Sequence, residues 1–551
     1  MLIDQIDQEI VEINGPEFKG MLIIATKSLK EKEEEINDLN IYPVPDGDTG
    51  SNMYLTLSNA VEEVKKADST AVGELANKLS MGALMGARGN SGVILSQLLQ
   101  GLANGLADEE VLTVENLSAG LQEAANIAYQ AVMKPVEGTI LTVARDVADK
   151  ADELSELTDL TKFMSEIVKV AQNSVAKTPQ LLDVLEEADV VDAGGRGYAV
   201  FLKGLLEGMA TEEEIEDLFS DSFAQKRELV EESAEEFGYC TEFIVQNNKI
   251  KVDKFKAKMS DLGDSLIVVK NDKLLKVHVH TDHPGQALEL GLEYGELNNI
   301  KIDNMSEQHR ERIEAEFAED NRAEIKKSET EPKNNLAVLA VTIGEGLQDI
   351  FKEIGAQYVL EGGQSFNPST QDLLTGIQEI AAENIIILPN NKNVISTAKQ
   401  VKELTEKNIE IIPTQTVPQG IAAMMMFNPT GELSTVSNDM KEELEFVKTG
   451  EITYAIRETE ISDMKINEGD ILGLTEGDIK VVENDYNQAA LNLIAEMVED
   501  LDSLITIYVG QETSAEKKEE LINQLETQYP EFDIEVHNGA QPIYYYILSV
   551  E

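Results

Sequence analysis

Apolar residues recur at helical spacing through Phe18–Leu29, Met53–Val64, Leu75–Leu84, Val93–Leu102 and Leu117–Val132. This pattern predicts helix almost without a break from about residue 15 to 208. Small residues such as Gly82, Gly86, Gly89 and Gly92 fall between the apolar ones, where helices can approach closely. An all-α bundle or barrel follows, with its functional residues expected in interhelical loops that collect Pro, Gly, Asp and Asn.

The pattern then changes twice. Residues 211–236 are highly charged and read as an exposed helical connector. Beyond them come short strands, Thr241–Val245, Ser265–Val269 and Leu274–His280, the last two joined by a hairpin-like turn at Asn271-Asp272-Lys273. A second charged stretch, 314–334, precedes a run in which strands and helices alternate. Leu336–Val341 leads into Leu347–Ile354, and Ile385–Leu388 into Val394–Leu404 and Ile409–Pro413. Leu504–Val509 leads into Ala515–Leu525, and Tyr544–Val550 follows. That alternation predicts α/β structure with a largely parallel sheet. The expected fold is therefore multidomain α and α/β. It comprises a helical domain over 1–210, a small α+β middle domain over 237–313 and an α/β domain over 335–551.

Composition narrows the function classes. A chain of 551 residues exceeds a single core, and 42% hydrophobic residues is ordinary for folded protein. With 103 Asp and Glu against 45 Lys and Arg, the formal charge is −58. Such a surface disfavours nucleic acid and anionic lipid, so a bound nucleotide would be held by metal ions and backbone N–H groups rather than a basic pocket. Cys240 is the lone cysteine, so no intramolecular disulfide can form and a reducing compartment fits. The first residues are acidic, no apolar signal region follows, and no run reaches membrane-span length. A cytoplasmic protein without stable membrane insertion is expected.

The candidate chemistry lies in Pro43–Asn52, PVPDGDTGSN. Asp46 and Asp48 flank a glycine in a proline-stiffened loop, a pattern suited to hard cations that take oxygen ligands. Thr49, Gly50, Ser51 and Asn52 then open a helix whose N-terminus favours phosphate. A plain helix-capping turn fits the same ten residues about as well. Three further loops bear on the choice: Ala87-Arg88-Gly89-Asn90-Ser91-Gly92, Pro135-Val136-Glu137-Gly138-Thr139, and Val191-Asp192-Ala193-Gly194-Gly195-Arg196-Gly197.

Together these blocks resemble the helical nucleotide-binding domain of dihydroxyacetone kinases, the L-subunit fold, in which helices form a barrel around the nucleotide. The whole chain resembles the ATP-binding subunit of bacterial fatty acid kinase. LNIYPVPDGDTGSNM, GARGNSGVILSQLLQG, PVEGTILTV and VVDAGGRGY occur in the same order, followed by HVHTDHPG and a DegV-like α/β C-terminal third. The resemblance implies ATP and magnesium as cofactors, with Asp46 and Asp48 holding magnesium. Thr49, Asn52, Ser91 and Gly92 would contact phosphate, with Gly50 and Asn90 beside them. Gly138, Thr139, Asp192 and Gly194 would line the nucleotide pocket, and Met133 would pack on the base. The dihydroxyacetone kinase pattern has a third aspartate upstream, where this chain has Asn40-Ile41-Tyr42-Pro43; Asn40 is the candidate neutral ligand. Arg88 is the candidate additional positive charge, with helix capping or a salt bridge as the other reading.

The implied acceptor is a fatty acid carboxylate presented by a separate, DegV-like fatty-acid-binding carrier protein, and the product is acyl phosphate. A carboxylate is already ionised at neutral pH, so no general base is required, and the helical region contains no histidine. Other readings are a dihydroxyacetone or small-polyol kinase and a non-enzymatic nucleotide-sensing scaffold.

A second cluster, Val277-His278-Val279-His280-Thr281-Asp282-His283, contains three of the five histidines. On a strand, His278 and His280 share a face with Cα atoms roughly 6–7 Å apart, so both rings can reach one zinc ion. Cys240 lies on another predicted strand. The residues alone fit better a strand with two exposed histidines and an unrelated cysteine. The resemblance implies zinc on Cys240, His278 and His280, with His283, Asp282, Glu242 or water in the fourth position. It also implies a homodimer formed through the middle domain and partner docking on the C-terminal domain.

Overall fold

The computed structural model describes residues 9–40, 47–132, 134–209, 239–246, 252–259, 262, 264–270, 274–281, 283–292, 294–304, 336–363, 366–461 and 464–551. The described residues of 1–221 and 334–551 form one compact unit, and those of 222–333 form a second.

In the first unit the N-terminal part is helical throughout: α1 (Gly15–Glu31), α2 (Glu33–Asn37), α3 (Thr49–Lys66), α4 (Val72–Gly86), α5 (Gly89–Gly105), α6 (Val114–Ala131), α7 (Ile140–Glu153), α8 (Leu160–Val175), α9 (Asp183–Glu187) and α10 (Ala193–Gly208). Sequence neighbours among the long helices pack in succession, and α10 closes back onto α1, which makes a barrel. Met53, Leu57, Ala60, Val61 and Val64 are the inward stripe of α3, the spacing expected of an amphipathic helix. Close approach depends on glycine at two seams. A Cβ on Gly101 would lie 2.4 Å from the Ala124 Cα of α6, and one on Gly204 would lie 2.5 Å from the Ala25 Cα of α1.

The C-terminal part departs from one largely parallel sheet. It has two sheets. β5 (Leu336–Thr342), β6 (Tyr358–Glu361), β7 (Asn384–Leu388) and β8 (Asn408–Ile411) form a parallel sheet in the order β6-β5-β7-β8. The second sheet has the order β13-β12-β9-β16-β14-β15 and is antiparallel except between β14 and β15. Its strands are β9 (Lys448–Tyr454), β12 (Ile471–Thr475), β13 (Asp478–Glu483), β14 (Leu504–Val509), β15 (Asp533–Asn538) and β16 (Tyr546–Val550). The β12–β13 hairpin turns at Glu476 (φ 54°) and Gly477 (φ 90°), a left-handed pair of the kind that matches strand twist. β9 reads KTGEITY, with too few apolar residues to stand out as a strand. β10 (Thr459–Ile461) and β11 (Met464–Ile466) make a separate small hairpin.

The second unit contains a four-stranded antiparallel sheet, β2-β3-β1-β4, built from β1 (Tyr239–Gln246), β2 (Asp264–Lys270), β3 (Leu274–Thr281) and β4 (Glu296–Asn304). Phe243, Val245, Val277 and Val279 are buried with Phe255, Met259 and Ala287 of the helices Val252–Met259 and Pro284–Leu292. The turn at 271–273 and both charged connectors lie outside the described residues.

Candidate functional site

Asp48 is the N-cap of α3, yet its side chain makes no capping hydrogen bond. Asn37 of α2 does that work: its Oδ1 accepts from Gly50 N (2.7 Å) and Ser51 N (3.3 Å). Its Nδ2 donates to Ser51 Oγ (3.1 Å), and that hydroxyl donates to Glu33 Oε1 (2.7 Å). Two N–H groups expected to face phosphate are therefore held internally, while the Asp48 carboxylate sits on a cavity wall. Asn40 accepts from the Thr49 hydroxyl at 3.1 Å and donates to the Asn37 carbonyl at 2.7 Å. Its amide positions Thr49.

The second loop packs directly on the first. Gly89 begins α5 with φ +56°, and a Cβ there would fall 2.4 Å from Asn52 Nδ2. Only glycine combines that angle with that contact. At the third loop Thr139 caps α7, its hydroxyl donating to the Val136 carbonyl at 2.8 Å. At the fourth, Asp192 caps α10 through Gly195 N (2.6 Å). Burial pushes its carboxyl up to about 6, and hydrogen bonds from the Gly195 and Ile140 amides oppose that rise. One carboxylate thus ties the starts of α7 and α10 together.

These loops surround a cavity of about 740 Å³. Asn40, Asp48, Thr49, Asn90, Ser91, Thr139, Asp192 and Gly194 line it, with Val132, Val136, Ile140 and Leu185 as apolar wall. Gly50, Asn52, Gly92 and Gly138 build the loops without lining the cavity. Asp46 and Met133 lie outside the described residues.

The C-terminal part forms the opposite wall, which the sequence did not anticipate. Asn367 donates its amide to the Asp48 carboxylate and, at 3.5 Å, approaches Asn52 Oδ1. Arg457 donates to the carbonyls of Asp38 and Asn40, both at 2.6 Å. Asp38 and Asn40 on one side and Asp48 on the other are therefore each held by the C-terminal part. Asn90 bonds to Asn393 (3.2 Å) and Ser396 (2.5 Å), and Gln400 bonds to Ser96 (3.2 Å). Arg88, the expected extra cation, is committed to this contact instead of the cavity. It donates to the Asn367 carbonyl (2.9 Å), pairs with Asp372 (3.4 Å) and stacks on Phe366 (4.8 Å). The Asn367-Pro368-Ser369 segment before the capped helix Thr370–Glu379 was the available signal for Asn367, but it reads as an ordinary helix start.

Asp48 and Thr49 bring a carboxylate and a hydroxyl, both oxygen donors, to the cavity wall, while Asn52 Oδ1 faces the Asn367 amide. These two donors fit a hard cation such as magnesium. In the second unit, the register pairs Cys240 with His280, and Glu242 with His278. Among the described residues no group of three or more His, Cys, Asp or Glu is placed to hold a metal. The zinc expectation therefore rests on residue types and strand register alone.

Family models match three stretches: DAK2 domain over 43–207, FakA-like middle domain over 236–312, and FakA-like C-terminal domain over 337–551, where FakA denotes a fatty acid kinase component. An uncharacterised Staphylococcus haemolyticus protein is 39% identical over 98% of this chain and 100% of its own. The chain belongs to the FakA-like fatty acid kinase family. Protein YloV of Bacillus subtilis is 38% identical over 98% of this chain and 99% of its own. A solved Streptococcus pneumoniae fatty acid kinase (Fak) B3 protein, loaded with linoleic acid, overlays with TM-score 0.26 at 12% identity. That overlay covers 33% of this chain and 76% of the other, and at this level it carries no argument. Among the described residues, no helix is long and apolar enough to cross a membrane.

Proposed function

We propose that this chain is the ATP- and magnesium-dependent subunit of a cytoplasmic fatty acid kinase. It phosphorylates the carboxylate of a fatty acid held by a separate binding protein and releases acyl phosphate. The observation that carries the reading is the convergence of Asp48, Thr49, Asn90, Ser91 and Asp192 on one cavity. Its volume lies within the ~300–1,000 Å³ of small-molecule sites.

Asp48, with Asp46, would hold magnesium, with Thr49 as a neighbouring oxygen donor. The ion, when bound, neutralises charge on the transferred phosphate. The chain's own residues bind and orient. Asn37 holds the first turn of α3 and Arg457 holds Asp38 and Asn40, while Thr49 and Ser91 present hydroxyls to phosphate oxygens. Val132, Val136 and Leu185 offer an apolar surface to the base. Among the described lining residues there is no histidine, which suits an acceptor already ionised at neutral pH. Cys240, His278 and His280 would hold zinc, and the middle unit would mediate self-association. The C-terminal part would dock the carrier.

The test is incubation with ATP, magnesium and one of three acceptors: fatty acid on its carrier, free fatty acid, or dihydroxyacetone. Product from carrier-bound fatty acid supports the proposal. Product from dihydroxyacetone instead makes the chain a polyol kinase, and nucleotide binding without any product makes it a sensing scaffold.

A further inference from the structure

With Arg88 engaged elsewhere, the polar end of the cavity needs another source of positive charge. Its described lining includes four carboxylates (Asp48, Asp192, Glu451 and Glu476) and two ammonium groups, Lys134 and Lys392. A nucleotide triphosphate carries several negative charges, so the placement of those two lysines decides how the polyanion is met. Lys134 lies between Val132 and Val136, in the apolar wall. Lys392 comes from the other side of the cavity, in the C-terminal part.

The turn that displays Lys392 is built to hold it. It follows the carboxyl end of β7, the edge of a parallel sheet where ligands characteristically bind. Asn390 adopts φ +52°, donates its backbone N–H to Thr414 Oγ1 (2.9 Å) and its Nδ2 to the Val341 carbonyl (3.0 Å). Asn391 is buried, and its Oδ1 accepts from Asn393 N at 2.7 Å. The turn then runs into the helix Val394–Glu403, whose Ser396 also bonds Asn90. Residues on both sides of Lys392 are thereby pinned, and the Asn90–Asn393 bond brings the turn to the Asn90-Ser91 loop, while the lysine ammonium lies against the β12–β13 turn, 3.5 Å from where a Gly477 Cβ would stand.

We propose that Lys392 is the phosphate-facing cation of this site, supplied by the C-terminal part and directed at the terminal phosphate of ATP. The inference rests on the ATP-dependent reading above. The apolar wall at Val132, Val136 and Leu185 takes the base end, which leaves the polar lining, to which Asp48, Ser91 and Lys392 contribute, for the phosphates. The helical barrel by itself would then be an incomplete triphosphate site.

The experiment is calorimetric binding of Mg·ATP and Mg·ADP to full-length wild type, Lys392→Gln and Lys392→Arg. A charge-assisted contact to the terminal phosphate predicts about a tenfold or greater loss of ATP affinity in Lys392→Gln. ADP affinity should stay within about twofold by the same argument, and Lys392→Arg should recover most of the ATP affinity. Equal losses for both nucleotides, or no loss for either, would overturn the assignment of Lys392 while leaving the kinase reading intact. A wild type that binds neither nucleotide overturns both.

Discussion

Asn367 donates its side-chain amide to the carboxylate of Asp48 across 319 positions of sequence. The contact joins a loop of the C-terminal part to the strongest candidate for metal binding in the helical barrel. Asn367 is almost fully buried, and its own Oδ1 has no hydrogen-bond partner among the described residues. The two parts of the unit therefore meet at the chemistry.

Asn367→Ala should remove a buried donor from Asp48. The expected cost is about 1–3 kcal/mol in urea unfolding of the full chain. Mobility should rise at Arg88, because the variant loosens the backbone carbonyl that accepts its guanidinium. Hydrogen exchange confined to the Phe366–Thr370 loop, with no change in the 88–92 loop, would count against a shared contact.

Asn37 was not legible as a site residue, but it caps α3 from a different helix. Asn37→Ala should cost about 0.5–2 kcal/mol, the usual worth of an N-cap. Asn37→Asp should recover most of it, because a carboxylate oxygen accepts from the same two N–H groups and suits a helix N-terminus. Nucleotide affinity should follow the same order, since Gly50 and Ser51 are held through this side chain. Equal stability of all three proteins would remove Asn37 from the account.

Asp192 sets a pH dependence. Its carboxyl is raised from 3.8 to about 6 in the folded chain, so the folded state binds the proton more tightly than the unfolded state. Its contribution is greatest below the unfolded value and is lost as pH rises through about 6. Asp192→Asn keeps an oxygen acceptor for the Gly195 and Ile140 amides without the charge. Relative to wild type, that variant should therefore gain stability as pH rises from 3.8 to about 6 and keep a constant advantage above that, by at most about 2–3 kcal/mol. Urea unfolding without nucleotide at several pH values checks this, and a difference independent of pH would contradict it.

The middle unit carries a separate prediction. Purified wild type should contain zinc by elemental analysis, and Cys240→Ser should reduce it sharply. The expectation rests on the residue types and the resemblance, with Cys240 paired in register with His280. Zinc at background level in wild type would end it.

The helical half was legible because burial writes a clear period: the stripe Met53, Leu57, Val61, Val64 can be read directly as one face. The four loops were legible because glycine, aspartate and hydroxyl residues collect there. Three features were not. The second sheet of the C-terminal part is hidden by β9, whose polar residues alternate irregularly with buried ones, and by a Glu476-Gly477 turn that lacks the usual Asn or Asp. Asn37 is invisible because the cap it provides comes from an adjacent helix and not from the residue preceding α3. Asn367, Lys392 and Arg457 are invisible because their roles depend on how the C-terminal part packs against the barrel, and no local spacing encodes that. For the same reason the sequence left Arg88 open between a phosphate-facing charge and a salt bridge; it pairs with Asp372 and stacks on Phe366.

The most direct test of the central claim is trapping of acyl phosphate with hydroxylamine. Full-length wild type and Asp48→Asn would each be given ATP, magnesium and carrier-bound fatty acid. The account predicts acyl hydroxamate from wild type, and at least a hundredfold less from Asp48→Asn (roughly the loss expected when a transition-state charge partner is removed), with the variant still folded. Equal product from the two proteins, or none from wild type under conditions where it binds Mg·ATP, would contradict it.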